Sequence, residues 1–203
     1  MELNCLRNAT AKQHENVERD LDLLRSSFTR RDYVSLLQRF YGFLQPWESE
    51  VEPLFEVELP EFFAPRRKLP NIAADLRYLG CTDEDLASID SCQELPTLKG
   101  IGAALGSVYV IEGSSLGGRI ISRRLAGHLG VLPNAGGRFF SGYGEDTGRM
   151  WSAFGELIKG RPAAENDEML EAAAATFDLL GEWLGSATHA GSAAHAGGAA
   201  HDE

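Results

Sequence analysis

The chain has 203 residues, 43% hydrophobic and 24% charged, which suits one sizeable globular domain but not two. A formal net charge of −11 argues against a nucleic-acid partner. The three cysteines form no C-x-x-C pair, and no charged-then-apolar signal opens the chain, so a cytoplasmic protein without disulfides or structural zinc is expected.

The first predicted helix carries a histidine on its apolar face. Glu18 follows His14 by one turn and Arg7 precedes it by two, so the three side chains share one face. An imidazole that ligates a metal needs an acceptor for its second ring nitrogen, and Glu18 is in place to accept. On this helix alone, a core histidine with an i,i+4 partner on the helix surface is the favoured interpretation. The stripe that includes His14 consists of Leu6, Thr10, Val17, Leu21 and Leu24.

Sequence patterns that predict helices continue along the chain to residue 185. Thr29 and Thr82 are predicted N-caps, and a bend is expected at Pro46. Alternating strands with hairpin turns are missing, so we predict one all-α domain of seven or eight helices over residues 1–185. The later predicted helices cover 29–51, 69–79, 82 onward, 97–129, 146–159 and 162–184.

The last 18 residues have a different composition. From Ser186 the chain is almost entirely Gly, Ala, Ser and His, and its histidines recur every six residues, a spacing that does not stack on a helix face. We therefore predict a disordered tail over residues 186–203. Metal scavenging by these histidines is an alternative.

The predicted helix 97–129 contains three glycines within six residues: Gly113, Gly117 and Gly118. Each costs roughly 1 kcal/mol relative to alanine inside a helix, so something must offset the loss. Bare backbone that approaches a flat ligand is one interpretation, and close packing against another helix is the other.

Three further interpretations of this segment are weaker. A membrane span over residues 100–118 would contain Glu112 and would be followed at once by three arginines, so no membrane partner is expected. A dinucleotide loop lacks its βαβ frame. The G-S-S-L-G run at 113–117 matches a nucleophile elbow, yet the chain supplies no sheet and no well-placed histidine base.

Charge is unevenly distributed along the chain. Residues 1–40 carry 7 basic and 6 acidic side chains and residues 96–160 carry 7 and 4, a combined charge of +4, whereas the rest sums to −15. This pattern fits a basic face for an anionic ligand or an acidic partner. Chance patchiness on solvated helices fits it as well.

Taken together, two segments resemble the heme oxygenase family, in particular its bacterial branch associated with bacteriophytochromes. They are L-R-N-A-T-A-K-Q-H-E-N-V-E at 6–18 and Y-V-I-E-G-S-S-L-G-G-R at 109–119, with a weaker echo in F-F-S-G-Y-G-E-D-T-G-R-M-W at 139–151. The resemblance covers about residues 3–185. It implies a multi-helix bundle in which heme lies between two helices.

The resemblance also implies residue roles. His14 would be the proximal iron ligand, with Glu18 holding its other nitrogen. Arg7, Tyr109 and Arg149 would lie near the heme propionates.

On the distal side, Gly113, Gly117 and Gly118 would form a flexed helix over the iron. Many family members carry Asp immediately after the first distal glycine, where it organises the water that delivers protons. This chain has Ser114 there, so we expect a serine-ordered water and count Gly113, Ser114 and Gly117 as catalytic.

The implied activity is oxidative opening of heme to biliverdin, with release of carbon monoxide and ferrous iron. Heme would be both substrate and cofactor, together with O2. No flavin or nicotinamide motif is visible, so a ferredoxin or a flavin reductase would supply electrons, and a bacteriophytochrome would accept the bilin. A non-catalytic heme carrier is the alternative. A di-iron bundle would need E-x-x-H pairs, and the sequence contains none. A zinc H-E-x-x-H motif that began at His14 would need a second histidine at position 18, where this chain has Glu18.

Overall fold

The computed structural model describes residues 1–21 and 27–193. Within these ranges it is helical, and no sheet forms, so the predicted all-α class is confirmed. The helices are α1 (Leu3–Ala9), α2 (Ala11–Leu21), α3 (Arg30–Val51), α4 (Leu69–Tyr78), α5 (Asp83–Ala87), α6 (Gly100–Leu129), α7 (Arg138–Ser141), α8 (Thr147–Lys159) and α9 (Asn166–Ala193).

Local capping chemistry sets several helix ends where the sequence predicts them. The Thr29 hydroxyl accepts from the Asp32 backbone N–H at 3.2 Å, and the Asp32 carboxylate accepts from the Thr29 N–H at 2.8 Å. Thr82 and Asp85 form the same capping box at α5. At the other end of α6, Gly130 adopts the left-handed conformation that ends a helix (φ +67°).

The first predicted helix is divided in two. Thr10 leaves helical geometry at φ −108° and ψ 11°, which separates α1 from α2. Its N–H still donates to the Leu6 carbonyl, and its carbonyl still accepts from the His14 N–H, each at 3.0 Å. Arg7 and His14 therefore lie on consecutive short helices rather than on one continuous helix.

The end of the domain differs from the prediction as well. Helix α9 continues to Ala193, eight residues beyond the predicted boundary at 185. Alanine is the best helix former, which accounts for the extension through an Ala-rich segment. Residues 194–203 and Leu24 lie outside the described residues, so disorder of the tail stays a prediction.

Helices α6 and α9 pack along each other at the centre of the domain. At Gly106 the two backbones are so close that a Cβ would lie 2.1 Å from the Met169 carbonyl oxygen. The Ser107 hydroxyl accepts from the Trp47 indole N–H and hydrogen bonds with the Thr176 hydroxyl, each at 2.8 Å. These buried contacts join α3, α6 and α9.

Two helices that lead toward the candidate site differ in how deeply they are packed. In α6, every side chain from Ile101 to Glu112 is buried. In α2, which packs against α9, the side chains from Ala11 to Arg19 are exposed or half-buried. Helices α7 and α8 cover other parts of α6.

Candidate functional site

The imidazole of His14 lies at the surface of α2. Its side chain is 53% exposed, which rules out the interpretation as a core histidine. Nδ1 lies 3.8 Å from the Glu18 Oε2, close enough for charge attraction but longer than a hydrogen bond. One edge of the ring contacts buried Phe177 of α9, with a centroid distance of 5.8 Å. Packing thus holds one side of the ring and leaves the rest accessible.

A polar junction joins the start of α2 to α6. The buried hydroxyl of Thr10 donates to the Leu6 carbonyl at 2.8 Å, and a side-chain hydrogen bond links Thr10 to the phenol oxygen of Tyr109. Burial raises the pKa of Tyr109, and this hydrogen bond and the nearby positive charge of Arg7 oppose that shift. The structure therefore brings together Arg7 and Tyr109. His14 and Gly113 each lie four residues further along, about 6 Å from this junction on their own helices.

One face of α6 beyond this junction is bare. A Cβ on Gly117 would meet nothing within 4 Å, and a Cβ on Gly113 would meet only the ring edge of Trp151, at 3.7 and 3.9 Å. Leu116 and Ile120 border this face and are 42% and 63% exposed, unusual for large apolar side chains. We call the surface made by Gly113, Leu116, Gly117 and Ile120 the glycine face.

Ser114 stands beside the glycine face. Its hydroxyl donates to the Ile111 carbonyl at 2.7 Å, and its side chain is exposed. A serine hydroxyl has one hydrogen and two lone pairs, so the oxygen can still accept a hydrogen bond from water.

Gly118 belongs to a different surface. It is buried, and a Cβ there would lie 2.4 Å from the Phe140 carbonyl oxygen on α7. Close packing of α6 against α7 therefore explains this glycine, and a contact between Gly118 and a ligand stays a prediction without support from the geometry. The packing interpretation holds for Gly118, while Gly113 and Gly117 remain open to a ligand.

Arg149 lies on the surface. Its Nε is 3.0 Å from the Asp146 Oδ1, and both side chains are more than half exposed. Asp146 engages the Nε of this guanidinium, and a contact between Arg149 and a propionate stays a prediction without support from the geometry.

A buried charge cluster immediately precedes the glycine face and was not predicted from the sequence. The Glu112 carboxylate lies 2.9 Å from the Lys68 Nζ and 3.1 Å from the Arg66 Nε. The Tyr143 phenol donates to the same carboxylate at 2.7 Å and accepts from Lys68 at 2.7 Å. We call these four residues the Glu112 cluster.

Burial dominates the electrostatics of this cluster. It lowers the pKa of Lys68, and the charge of Glu112 opposes that shift. It also raises the pKa of Tyr143, in the same direction as the negative charge of Glu112. The available sequence signal was a single carboxylate within the most apolar helix, together with the R-R-K run at 66–68. A buried charge needs partners, but spacing alone does not identify them.

The nucleophile-elbow interpretation is wrong. The G-S-S-L-G run lies inside α6 rather than on a strand-to-helix turn. Ser115 is 7% exposed, and His128 lies about 20 Å further along the same helix. The His128 Nε2 is instead 2.9 Å from the Phe28 carbonyl.

Residues 1–21 and 27–193 contain neither a membrane-spanning helix nor a cluster of metal ligands. Within these ranges no helix is long and apolar enough to cross a membrane. No group of three or more His, Cys, Asp or Glu side chains there could hold a metal ion.

Comparison with known proteins points to one family. The heme oxygenase family model matches residues 3–186. A heme oxygenase from Xanthomonas campestris pv. campestris is 32% identical over 93 residues, 46% of this chain, so the match spans about half (52%) of that relative's length.

Solved structures agree on the fold. Heme oxygenase from Leptospira interrogans superposes with a TM-score of 0.70 at 16% identity, covering 92% of this chain and 100% of that one. The NO- and CO-bound heme oxygenase from Neisseria meningitidis gives 0.65 at 19% identity, covering 90% and 92%.

Proposed function

The chain belongs to the heme oxygenase family, and from this premise we propose that it binds heme between α2 and α6 and opens the macrocycle to biliverdin. The reaction would consume O2 and electrons and release carbon monoxide and ferrous iron. Heme supplies the iron that activates O2 and the ring that is oxidised, so it is substrate and cofactor at once. The protein supplies binding, orientation and protons.

One observation carries this proposal: the glycine face and an accessible histidine both lie about one helical turn from the Thr10–Tyr109 junction. A flat apolar ring needs bare backbone on one side, and open space at Gly117 meets that need. Exposed Leu116 and Ile120 offer apolar contact beside it. The chemistry of these groups therefore fits heme.

On the proximal side, His14 would ligate the iron through Nε2. Its other ring nitrogen, Nδ1, already faces the Glu18 carboxylate. A decrease of about 0.6 Å in the 3.8 Å separation would bring the two atoms into hydrogen-bonding range and fix the tautomer with Nε2 unprotonated. Arg7 and Tyr109 would hold a propionate, since a guanidinium and a phenol both donate to carboxylates.

On the distal side, Gly113 and Gly117 would let the helix backbone approach the ring where any side chain would collide with it. Ser114 would hold a water through its oxygen, because its own hydrogen is committed to the Ile111 carbonyl. That water would relay protons to the reacting centre. Ser114 would thus take the place of the aspartate that many family members have.

The proposal extends to partners. A ferredoxin or a flavin reductase would supply electrons, and a bacteriophytochrome would accept the bilin. The three free cysteines suit a reducing compartment, and we place the protein in the cytoplasm.

Addition of heme and a reductant under air tests the function directly. We expect the Soret band of bound heme to give way to the absorbance of biliverdin, with carbon monoxide trapped by a ferrous globin. A protein that binds heme without forming bilin would be a carrier, and this outcome would reject the proposed activity. The control is His14→Ala, which should bind heme without an axial bond from the protein.

A further inference from the structure

The glycine stretch of α6 is weak by composition, yet one side of it is firmly held. Glycine in a helix interior forfeits backbone entropy, so residues 113–118 should open more readily than the rest of α6. Their front, the glycine face, contacts little. The contacts that keep this stretch in place must therefore lie on the side of α6 opposite the glycine face.

A short segment of chain runs along that rear side. The Phe140 carbonyl touches Gly118, where a Cβ would come within 2.4 Å. Gly142, at φ +57°, brings its backbone beside Ser115, since a Cβ there would lie 3.3 Å from the Ser115 Cβ. The Tyr143 phenol then reaches the Glu112 carboxylate. Residues 140–143 thus contact α6 at both ends and at the middle of the glycine stretch.

This segment is itself anchored. The Asp75 carboxylate accepts from the Arg138 and Phe139 N–H groups, at 2.9 and 2.8 Å, and so fixes the start of α7 on α4. At the other end, Lys68 lies 2.7 Å from the Tyr143 oxygen and 2.9 Å from Glu112. The segment is therefore tied to α4 and to Lys68, both outside α6.

We propose that residues 140–143 brace the glycine stretch, and that Tyr143 and Glu112 are positioning residues that set which edge of the bound macrocycle is opened. The part about ring opening rests on the proposed function. Because the glycine face would lie against the ring, a displacement of the Gly113 backbone would change how the ring is seated and so which of its edges is opened. The brace prevents that displacement by holding the residue before Gly113 through a buried, charge-assisted hydrogen bond.

Tyr143→Phe tests the brace with little change in shape, because only a hydroxyl is lost. In the heme-free protein we expect amide hydrogen exchange across residues 113–118 to rise about tenfold or more, as loss of a hydrogen bond to a charged acceptor allows. Glu112→Gln should act in the same place. Thr176→Val is the matched control, since it removes a buried hydroxyl of α9 that hydrogen bonds with Ser107, six residues before Gly113.

The exchange result decides the brace without heme. Equal exchange over residues 113–118 in Tyr143→Phe and Thr176→Val would overturn it. The biliverdin isomer ratio then tests the specificity: we expect a change of at least twofold in Tyr143→Phe and none in Thr176→Val. An unchanged ratio would reject the role in ring opening. Failure of the wild type to form any bilin would reject the proposed function and leave the exchange result intact.

Discussion

An added methyl group should stabilise the heme-free protein at Gly117 but not at Gly118. At Gly117 a Cβ meets nothing within 4 Å, so alanine gains its helix propensity at no steric cost. We expect Gly117→Ala to raise the free energy of unfolding by about 1 kcal/mol. For a chain of this size, that corresponds to a rise in Tm of roughly 2–4 °C.

At Gly118 the same methyl group would lie 2.4 Å from the Phe140 carbonyl oxygen, and backbone cannot rotate aside as a side chain can. Overpacking of this kind costs about 1–3 kcal/mol, which offsets the propensity gain or exceeds it by up to about 2 kcal/mol. Gly118→Ala should therefore lower the Tm or leave it unchanged. Chemical denaturation of both heme-free variants measures the difference.

Heme titration should reverse the order. Gly117→Ala places a methyl group on the glycine face, so heme affinity should fall or its ligand-field spectrum should change. Gly118→Ala should retain the wild-type spectrum. The matched control is Gly127→Ala on the same helix: a Cβ there also meets nothing within 4 Å. It should stabilise the protein as Gly117→Ala does, without an effect on heme. If Gly117→Ala destabilises the heme-free protein or binds heme like the wild type, the assignment of the glycine face is wrong.

Three other perturbations have defined outcomes. His14→Ala should remove the axial bond from the protein to the heme iron while the fold is retained, because this side chain is half exposed. A wild-type Soret and ligand-field spectrum in this variant would contradict the assignment of His14. Glu18→Ala should change the spectrum less than His14→Ala does. Burial raises the pKa values of Tyr109 and Tyr143 above 10, so their contribution to stability is complete below pH 10 and is lost as the pH rises through the raised values. Absorbance titration should show that these phenolates form only as the protein unfolds. Ionisation of these phenols in the folded protein near pH 10 would count against their burial. Turnover driven by ferredoxin should slow as the salt concentration rises over the range where the Debye length shortens to about 8–10 Å. Charge reversal at exposed Arg123 should slow this turnover in the same way. A turnover rate that does not change with salt would reject the basic docking face.

Helix ends were predictable wherever the signal is local. Thr29 and Thr82 each have their capping partner three residues away, and Gly130 stops α6 through its own left-handed backbone. The start of α7 was not predictable in this way. Its N–H groups are satisfied by Asp75, 63 residues earlier in the chain, so nothing within the segment itself indicates a helix.

In the candidate site, too, local patterns could be predicted from the sequence and contacts between distant segments could not. Spacing was enough to group His14 with Glu18. The resemblance singled out Gly113 and Gly117, whose contact with a ligand stays a prediction. Gly117 and Gly118 are adjacent and chemically identical, so only the position of another helix distinguishes the open surface at Gly117 from the packing surface at Gly118. Glu112 likewise has no evident partner in the sequence, because the residues that bind it in the fold, Lys68 and Tyr143, are 44 and 31 residues away.

Unequal packing of α2 and α6 has a consequence for how fast ligands exchange. The buried half of α6 cannot move without exposing much of the domain's interior, whereas residues 11–19 of α2 bury little and rest mainly on α9. Uptake of heme and departure of the pigment should therefore proceed by outward displacement of α2, with α6 stationary. Substitutions on α2 that spare the histidine should change the rate at which pigment leaves more than the rate at which it forms.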